Sequence, residues 1–452
     1  MRLTHRHRLH VLVLAALAAL AFQFPSFAQP AQPVSPTPAP SAPTKDISGK
    51  DASSIRAVLA LITKHQIEKT GPLADGDYTP VSTVEALEAA RAPKGIAWSY
   101  PWGVILYGMT RASDFLDDKS GLDFVIEHNH IVARYYAWIT AASQKIGADT
   151  PAWQSFRNGR NNLKVRPLFT LGNLDSCGSM GNQTLASMLR APDRVIPEQK
   201  AVVERIADWI VNRQARLPDG TFWRPKSMDT AKKWPAGTLW MDDLYMGCPF
   251  LVRWAQYTND SKHLTDAASQ IINMAALTQD TDGLWFHAYS QPQKEHSPVK
   301  WGRANGWAMV ATVEVLSAMP EDHPLRAKLL DVLRRHIEGV KKVQAPSGLW
   351  RQVLNDETLW EETSCSAMFA YSIARAVNRG WIPKENMDVA RKAFVGIATQ
   401  VSPEGAVANT CIGTNIGMDV DFYRNRPHPA DDPHGPGVVL LAGAEILAAD
   451  SK

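Results

Sequence analysis

The stretch WMDDLYMGC (240–248) sets two adjacent carboxylates, Asp242 and Asp243, at the start of an apolar helical pattern. Burying an ionised carboxylate costs free energy unless another group pairs with it or hydrogen-bonds to it. An aspartate at a helix start can cap backbone N–H groups at the positive end of the helix dipole, and it can also carry chemistry. The stretch alone leaves both interpretations open, so the rest of the chain has to decide between them.

Two series of similar stretches run along the chain. In the first, small or polar residues open an apolar helix, as at 240–248; its other members are YPWGVILYG (100–108), LDSCGSMGN (174–182), GRANGWAMV (302–310), ETSCSAMFA (362–370) and DPHGPGVVL (432–440). In the second, a polar residue and a glycine precede an apolar or aromatic stretch: DGTFWRP (219–225), DGLWFHAY (282–289), SGLWRQVL (347–354) and EGAVANTC (404–411). The glycines of the second series recur at intervals of 63, 65 and 57 residues. Periods of this size predict a repeated unit of one helical hairpin with its loops.

Six such hairpins predict an all-α fold, an (α/α)6 barrel or six-hairpin toroid, in which residues 49–452 form a single catalytic domain. An open solenoid is the alternative, but it would need polar capping helices at both ends. The first unit, from Ile55, and the last, Val438–Leu447, are as apolar as the middle units. The pattern therefore favours a closed ring.

The N-terminus has the pattern of an export signal. Basic residues are followed by the apolar run VLVLAALAALAF (11–22), which is too short to span a bilayer, and then by the small residues Ser26 and Ala28. We interpret residues 1–28 as a signal peptide and residues 29–48, rich in Pro, Ala and Ser, as a disordered linker. A periplasmic or secreted protein is the expectation.

Charge and cysteine content suggest no further partner. Removing residues 1–28 takes away three arginines, so the count of Lys and Arg falls from 48 to 45 and equals the 45 acidic residues. The balance gives no reason to expect binding to nucleic acid or to a membrane after cleavage. No metal ligand spacing and no cofactor motif is recognised. The sequence leaves open whether the four cysteines, Cys177, Cys248, Cys365 and Cys411, form disulfides. It also leaves the oligomeric state open.

In a closed ring the six helix starts face one mouth, so their polar side chains become neighbours. Carboxylates can move protons, arginine can hold a carboxylate bidentately, and tryptophan faces can stack on sugar rings, so the set is typical of a saccharide site. The residues are Asp175, Asp242, Asp243, Arg303, Asn305, Glu361, Glu362, Asp432 and His434, with Trp223, Trp285, His287, Trp301 and Trp350 from the glycine loops.

The motifs WMDDLYM, FHAY, WGRANGW, GLWRQVL with SCSAMFAYSIA, and DPHGPGVVLLAGAEIL resemble, in order and spacing, glycoside hydrolase family 105. Its members are unsaturated rhamnogalacturonyl hydrolases, related to the unsaturated glucuronyl hydrolases of family 88. The resemblance runs from about residue 90 to 449 and implies the same (α/α)6 barrel. It also implies an unsaturated oligosaccharide as substrate, with a terminal 4,5-unsaturated uronic acid that the enzyme releases by acid-catalysed hydration of the C4=C5 vinyl ether.

The resemblance implies roles for particular residues. Asp242 takes the position of the catalytic aspartate, which leaves Asp243 as a capping or structural residue. The positions that match substrate-binding residues are Asp175, His287, Trp301, Arg303, Asn305, Trp307 and His434, with Arg303 expected to bind the uronate carboxylate and Trp301 to stack on the uronate.

Two departures from the family pattern stand out: Ala304 replaces the usual glycine, and Pro436 replaces a frequent aromatic residue. The loop 287–301 is expected to set substrate preference, and the sugar linked to the uronate is not identified. The alternatives are a polysaccharide lyase or an inverting glycosidase on the same barrel, and a non-catalytic saccharide-binding protein.

Overall fold

A computed structural model describes residues 46–159, 162–225 and 237–450. The predicted signal peptide (1–28) and the linker up to residue 45 lie outside the described residues, so these two predictions stay predictions. Within the described part of the chain, no helix is both long and apolar enough to cross a membrane.

Six helices form an inner ring in which each packs against the next and the last packs against the first. The ring is therefore closed, and the predicted (α/α)6 barrel is confirmed. The inner helices are α3 (Tyr100–Ala112), α7 (Gly178–Arg190), α9 (Asp242–Thr258), α11 (Gly302–Ala318), α13 (Thr363–Asn378) and α16 (Pro436–Asp450).

Six further helices surround this ring and alternate with it along the chain: α1 (Ala52–Thr70), α4 (Ser120–Ile146), α8 (Pro197–Asn212), α10 (Lys262–Thr278), α12 (Arg326–Lys342) and α14 (Met387–Ala398). Their sequences bury one face, as in α12, where Leu329, Leu333, His336 and Val340 recur at helical spacing. Inner helices are instead buried all round, and every residue of α11 from Gly302 to Leu316 is buried.

Short elements complete the loops. They are the helices α2 (Val84–Ala89), α5 (Pro151–Asn158), α6 (Arg166–Phe169) and α15 (Val420–Arg424), and the 3₁₀ turns Leu174–Ser176, Pro192–Arg194 and Lys384–Asn386. The strands β1 (Thr238–Trp240), β2 (Ala288–Ser290) and β3 (Glu295–His296) form an antiparallel sheet in that order, and β4 (Trp350–Arg351) pairs with β5 (Glu361–Glu362).

Glycines let the inner helices approach each other closely. A Cβ atom added to Gly178 would lie 1.4 Å from the carbonyl oxygen of Met246, and one added to Gly437 would lie 2.5 Å from the backbone of Val104. No side chain fits at either position without moving the neighbouring backbone. The small residues seen at the helix starts thus allow the ring to close.

The glycine loops dock on outer helices in a repeated way. Gly283, Gly348 and Gly405 all have φ between +88° and +96°, a region that favours glycine. Each faces a backbone carbonyl oxygen of an outer helix: Gly283 that of Arg335 in α12, Gly348 that of Lys392 in α14, and Gly405 that of Leu61 in α1. The contact of Gly405 with α1 joins the last hairpin to the first in the same manner as the earlier pairs.

All four cysteines, Cys177, Cys248, Cys365 and Cys411, are buried free thiols. Burial raises the pKa of each thiol above its ordinary value. The structure therefore contains these residues as packing groups and not as disulfide bridges.

Candidate active site

Pairing of β1 with β2 brings Asp242 next to His287. Trp240 lies opposite Ala288 in the register, and the backbone N–H of Met241 donates to the carbonyl oxygen of His287 at 3.2 Å. Asp242 is the first residue of α9, and its Oδ2 atom lies 3.2 Å from Nε2 of His287, without the alignment of a hydrogen bond. The His287 ring is fully buried, whereas the Asp242 side chain is 14% exposed at the mouth of the barrel.

The surroundings of Asp242 favour its ionised form. Burial raises the pKa of this carboxyl, but His287, followed by Arg224 and Arg303, outweighs burial and holds the pKa below its usual value. Its place in the first turn of α9 adds the favourable end of the helix dipole. Asp242 is consequently a carboxylate in the free protein at neutral pH.

Asp243 points away from Asp242 into a buried ion-pair cluster. Nη2 and Nε of Arg224 lie 2.6 and 3.0 Å from its two oxygens, and the same guanidinium donates to both oxygens of Asp175 at 3.1 and 3.2 Å. Burial raises the pKa of Asp243 to about 6, against the opposing effect of Arg224. Of the two roles predicted for Asp243, capping is wrong and a structural role is correct: it anchors Arg224, which in turn holds Asp175.

Asp175 and Tyr100 line the accessible part of the mouth. The Asp175 side chain is 27% exposed, and Tyr100 is partly exposed at the start of α3. The Tyr100 hydroxyl lies 2.5 Å from Nε2 of His434, and Nδ1 of His434 lies 2.5 Å from Oδ1 of Asp432. Because the Asp432 carboxylate can only accept, Nδ1 of His434 carries the proton, and burial, with Arg303, lowers the pKa of this histidine. Tyr100 therefore donates to the unprotonated Nε2 of a neutral imidazole.

Arg303 is almost completely enclosed. Its Nη1 and Nη2 atoms donate to the backbone carbonyls of Cys411 and Ile412 at 2.5 and 2.7 Å, and its guanidinium lies 4.7 Å from the Trp301 ring centroid. Only 1% of its side chain is exposed, and the Glu362 carboxylate lies 3.8 Å away. In this structure Arg303 holds the start of the segment 411–424, and its predicted contact with a uronate carboxylate stays a prediction.

Three other predicted contact residues lie behind the wall of the mouth. Trp301 is buried against His287 and Arg303, and Trp307 packs on Tyr245 with ring centroids 4.5 Å apart. The Asn305 amide exchanges hydrogen bonds with the backbone of Trp285 at 2.7 and 2.8 Å and also contacts the carbonyl of Trp301. In this structure all three side chains are buried behind the wall of the mouth, and the sugar contacts predicted for them stay predictions.

The structure adds residues that the sequence analysis did not assign. Arg224 is the single basic residue of the loop DGTFWRP, and Tyr100 opens one of the six helix-start motifs, so both carried a visible signal. Glu362, which the sequence analysis placed among the polar residues at the mouth, is buried: it caps α13 by accepting from the backbone N–H of Cys365 and also accepts from the backbone N–H of Cys411. Tyr423 lies in a segment with no recognised motif and contacts His287. Among the described residues, no group of three or more His, Cys, Asp or Glu side chains is arranged to hold a metal ion.

Comparison with known proteins places the chain in a family. Residues 79–449 match the family described as Glycosyl Hydrolase Family 88. The match covers most of the chain, so the chain belongs to this family and is a glycoside hydrolase. The resemblance predicted from the sequence motifs, to family 105 and its relative family 88, is thereby confirmed.

Individual relatives agree with this assignment. The unsaturated rhamnogalacturonyl hydrolase YesR of Bacillus subtilis is 22% identical over 353 residues, which cover 78% of this chain and 90% of that protein. The 24.9 kDa protein in the picA locus of Rhizobium radiobacter is 32% identical over 230 residues, or 45% of this chain and 98% of that protein. A crystal structure from Salmonella enterica, described as a possible member of the GH105 family, has a TM-score of 0.65 at 23% identity and covers 89% of this chain and 95% of that chain. That likeness shows the same fold.

Proposed function

We propose that this glycoside hydrolase removes a terminal 4,5-unsaturated uronic acid from lyase-generated oligosaccharides by hydrating its C4=C5 vinyl ether. Support comes from the family and from the name of its relative YesR, an unsaturated rhamnogalacturonyl hydrolase. Rhamnogalacturonan fragments from pectin are accordingly the first substrates to test. An amino sugar next to the uronate remains the alternative.

The observation that carries the proposal is that, among the residues the structure describes, no Lys or Arg side chain is paired with the Asp242 carboxylate at the mouth. Asp175 and Asp243 are both held by Arg224, whereas the partner at ion-pair distance from Asp242 within the described part of the chain is the His287 ring. An inverting glycosidase needs two working carboxyl groups, one acid and one base, on opposite sides of the sugar. A single working carboxyl suits the hydration of a vinyl ether, in which the same group gives and then takes a proton.

In the proposed reaction, the Asp242 carboxyl transfers its proton to C4, and the C4=C5 electron pair forms the new C–H bond. The positive charge that results is shared by C5 and the ring oxygen. Water then adds at C5 and gives its proton to the Asp242 carboxylate, which restores the acid. The hemiketal formed at C5 opens, and the aglycone leaves from the anomeric carbon, so the sum of the steps is the addition of water.

Asp242 must gain a proton before the first step, because it is ionised in the free protein. The uronate of the substrate brings a second negative charge into the mouth, and a like charge raises the pKa of a neighbouring carboxyl. Substrate binding would thus load Asp242 with the proton that the reaction uses. Tyr100 and Asp175, which line the accessible mouth, are the groups that we expect to contact the sugar hydroxyls, with Asp175 fixed in place by Arg224.

The rival with an observation in its favour is a polysaccharide lyase. The Tyr100 hydroxyl is bonded to Nε2 of a neutral His434 that is in turn held by Asp432, an arrangement that could accept a proton from a sugar carbon. A lyase and a hydrolase of unsaturated uronides have opposite effects on the same double bond. The ultraviolet absorbance of the conjugated product therefore separates them.

The test uses an unsaturated rhamnogalacturonan disaccharide and, in parallel, the intact polysaccharide. The proposal expects loss of absorbance with the disaccharide, no gain with the polysaccharide, and abolition of the loss in Asp242→Asn. A gain of absorbance with the polysaccharide, abolished in Tyr100→Phe, would establish the lyase instead. Binding without any change of absorbance or of reducing ends would indicate a saccharide-binding protein.

We also propose that the enzyme works in the periplasm or outside the cell, after removal of residues 1–28, with residues 49–452 as one catalytic domain. Support comes from the basic, apolar and small-residue order of the N-terminus. N-terminal sequencing of the protein from separated cell fractions tests this. Full-length protein in the cytoplasm would contradict it.

A further inference from the structure

A chain of polar contacts runs from the segment 411–424 to Asp242. The backbone N–H of Gly417 donates to the Tyr423 hydroxyl at 2.9 Å, and that hydroxyl lies 2.7 Å from Nδ1 of His287. The opposite nitrogen of the ring, Nε2, lies 3.2 Å from Oδ2 of Asp242. Tyr423 and His287 are both fully buried, so water does not compete for these contacts.

The position of each proton in this chain follows from what each group can donate. The Gly417 N–H uses the Tyr423 oxygen as acceptor, which leaves the single hydroxyl proton of Tyr423 to be placed. Among the residues that the structure describes, Nδ1 of His287 is the acceptor within reach of that proton. Nδ1 therefore bears a lone pair, and the ring N–H is on Nε2, facing Asp242.

We infer that Tyr423 is a positioning residue that fixes the tautomer of His287, so that Nε2–H faces Oδ2 of Asp242 and the transferable proton is carried on Oδ1. This inference rests on the proposed function, in which Asp242 is the proton donor. In the opposite tautomer, the Nε2 lone pair would accept a hydrogen bond from the protonated carboxyl and hold its proton away from C4. Oδ2 is the inner oxygen of the carboxyl, buried against the ring, so Oδ1 is the oxygen left for the substrate.

Other groups near the pair do not replace this arrangement. Arg224 and Arg303 act on Asp242 as charges in the protein interior, and their effect does not depend on the state of Tyr423. Burial raises the pKa of Tyr423, so the hydroxyl keeps its proton across the working pH range. Other titratable groups in the described part of the chain that interact electrostatically with Asp242 or Tyr423 include Tyr100, Asp243, Cys411 and Asp419.

The first experiment compares Tyr423→Phe with the wild-type enzyme on the unsaturated disaccharide. Partners that orient a histidine at a metal site account for about 10- to 100-fold in affinity or activity, and we expect a loss of kcat in that range. KM should be unchanged because Tyr423 does not line the mouth. With Nε2–H no longer enforced, the ionised form of Asp242 is less favoured, so the alkaline limb of kcat/KM should move to higher pH.

The matched control is Tyr135→Phe, another buried tyrosine, which lies in the outer helix α4 and whose hydroxyl oxygen accepts from the Lys164 backbone N–H at 3.4 Å. It should leave kcat and the pH limb unchanged. If Tyr423→Phe lowers only the thermal midpoint, with kcat and the limb as in wild type, then Tyr423 is merely structural and the inference is overturned.

A second pair of variants decides the question even where Tyr423→Phe does not fold. Glutamine carries its amide nitrogen near the position of Nε2, and asparagine near that of Nδ1. His287→Gln should therefore keep much more activity than His287→Asn, and Tyr423→Phe should cause no further loss of kcat in the glutamine background. Equal activities of the two His287 variants would overturn the inference. Full activity of Asp242→Asn would instead refute the proposed function.

Discussion

Replacing each of the two adjacent aspartates by asparagine should damage the protein in different ways. Asp243 is completely buried, and both of its oxygens contact Arg224. Removing one partner from a buried ion pair costs about 3–5 kcal/mol, because the other charge is left buried without compensation. Asp175 still holds the guanidinium through two contacts, so we expect the lower end for Asp243→Asn, about 3 kcal/mol of unfolding free energy.

Asp242→Asn should show the reverse pattern. Among the described residues, no Lys or Arg side chain lies within hydrogen-bond distance of its carboxylate, and asparagine has the same shape, so the cost in unfolding free energy should stay below about 1 kcal/mol. Loss of a group that serves as general acid and base should lower kcat by about 10²–10⁴-fold. Asp243→Asn should keep most of its turnover, because Asp243 does not reach the substrate.

The assay measures the urea midpoint by tryptophan fluorescence and the initial rate of absorbance loss for both variants. Arg224→Met is the informative third variant, since it leaves Asp175 and Asp243 without their shared cation and should be the least stable of the three. If Asp243→Asn is as stable as Asp242→Asn, the assignment of the buried ion pair as a stabilising element is wrong. If Asp243→Asn alone abolishes turnover, the catalytic assignment is reversed.

Three further predictions concern pH, the segment 411–424 and the ring. The pKa of Asp242 is lowered in the free protein and should be raised by the bound uronate. As the pH rises, kcat/KM should therefore fall at a lower pH than kcat does. If both parameters fall at the same pH, the substrate does not load Asp242 with a proton. In Arg303→Lys the lysine cannot reach both backbone carbonyls that Arg303 contacts, so kcat/KM should fall and proteolysis within 411–424 should become faster. If neither value changes, other contacts hold this segment. Gly178→Ala should prevent stable folding because its Cβ would lie 1.4 Å from a carbonyl oxygen. Gly220→Ala has open space around the added Cβ but a φ of +88°, so it should lower the free energy of unfolding by only about 1–2 kcal/mol. Similar thermal or urea midpoints for the two variants would refute this account of the ring.

The barrel could be predicted because its information is repeated along the sequence. Six helix-start motifs and four glycine loops occur at similar intervals, and each corresponds to an inner helix or a docked loop. Any one motif would have been ambiguous, as the pair Asp242 and Asp243 shows. The number of the motifs and the apolar character of the end units distinguished a ring from an open array.

The site was predicted less completely, because burial and direction depend on tertiary packing. Arg303 and Asn305 stand two residues apart on α11, which places their side chains about 200° apart around a helix of 3.6 residues per turn. Asn305 accordingly faces Trp285 and the outer wall, although the motif treated both as sugar contacts. Arg224 precedes β1 in the chain and Tyr423 lies in α15, and the contacts of Arg224 with Asp243 and of Tyr423 with His287 depend on tertiary packing.

The closure of the ring through α16 has a consequence for how the chain acquires its structure. Gly437 packs against the backbone of Val104 in α3, and Gly405 packs against α1, so the seam joins segments more than 300 residues apart. Until α16 has been synthesised, the apolar flanks of α3 and α13 that it covers have no partner. Folding of this enzyme is therefore completed only after nearly the whole chain exists, and contacts of such long sequence separation form slowly. The folding stage most exposed to contacts with other chains is the open ring of five inner helices, because two long apolar surfaces are uncovered there.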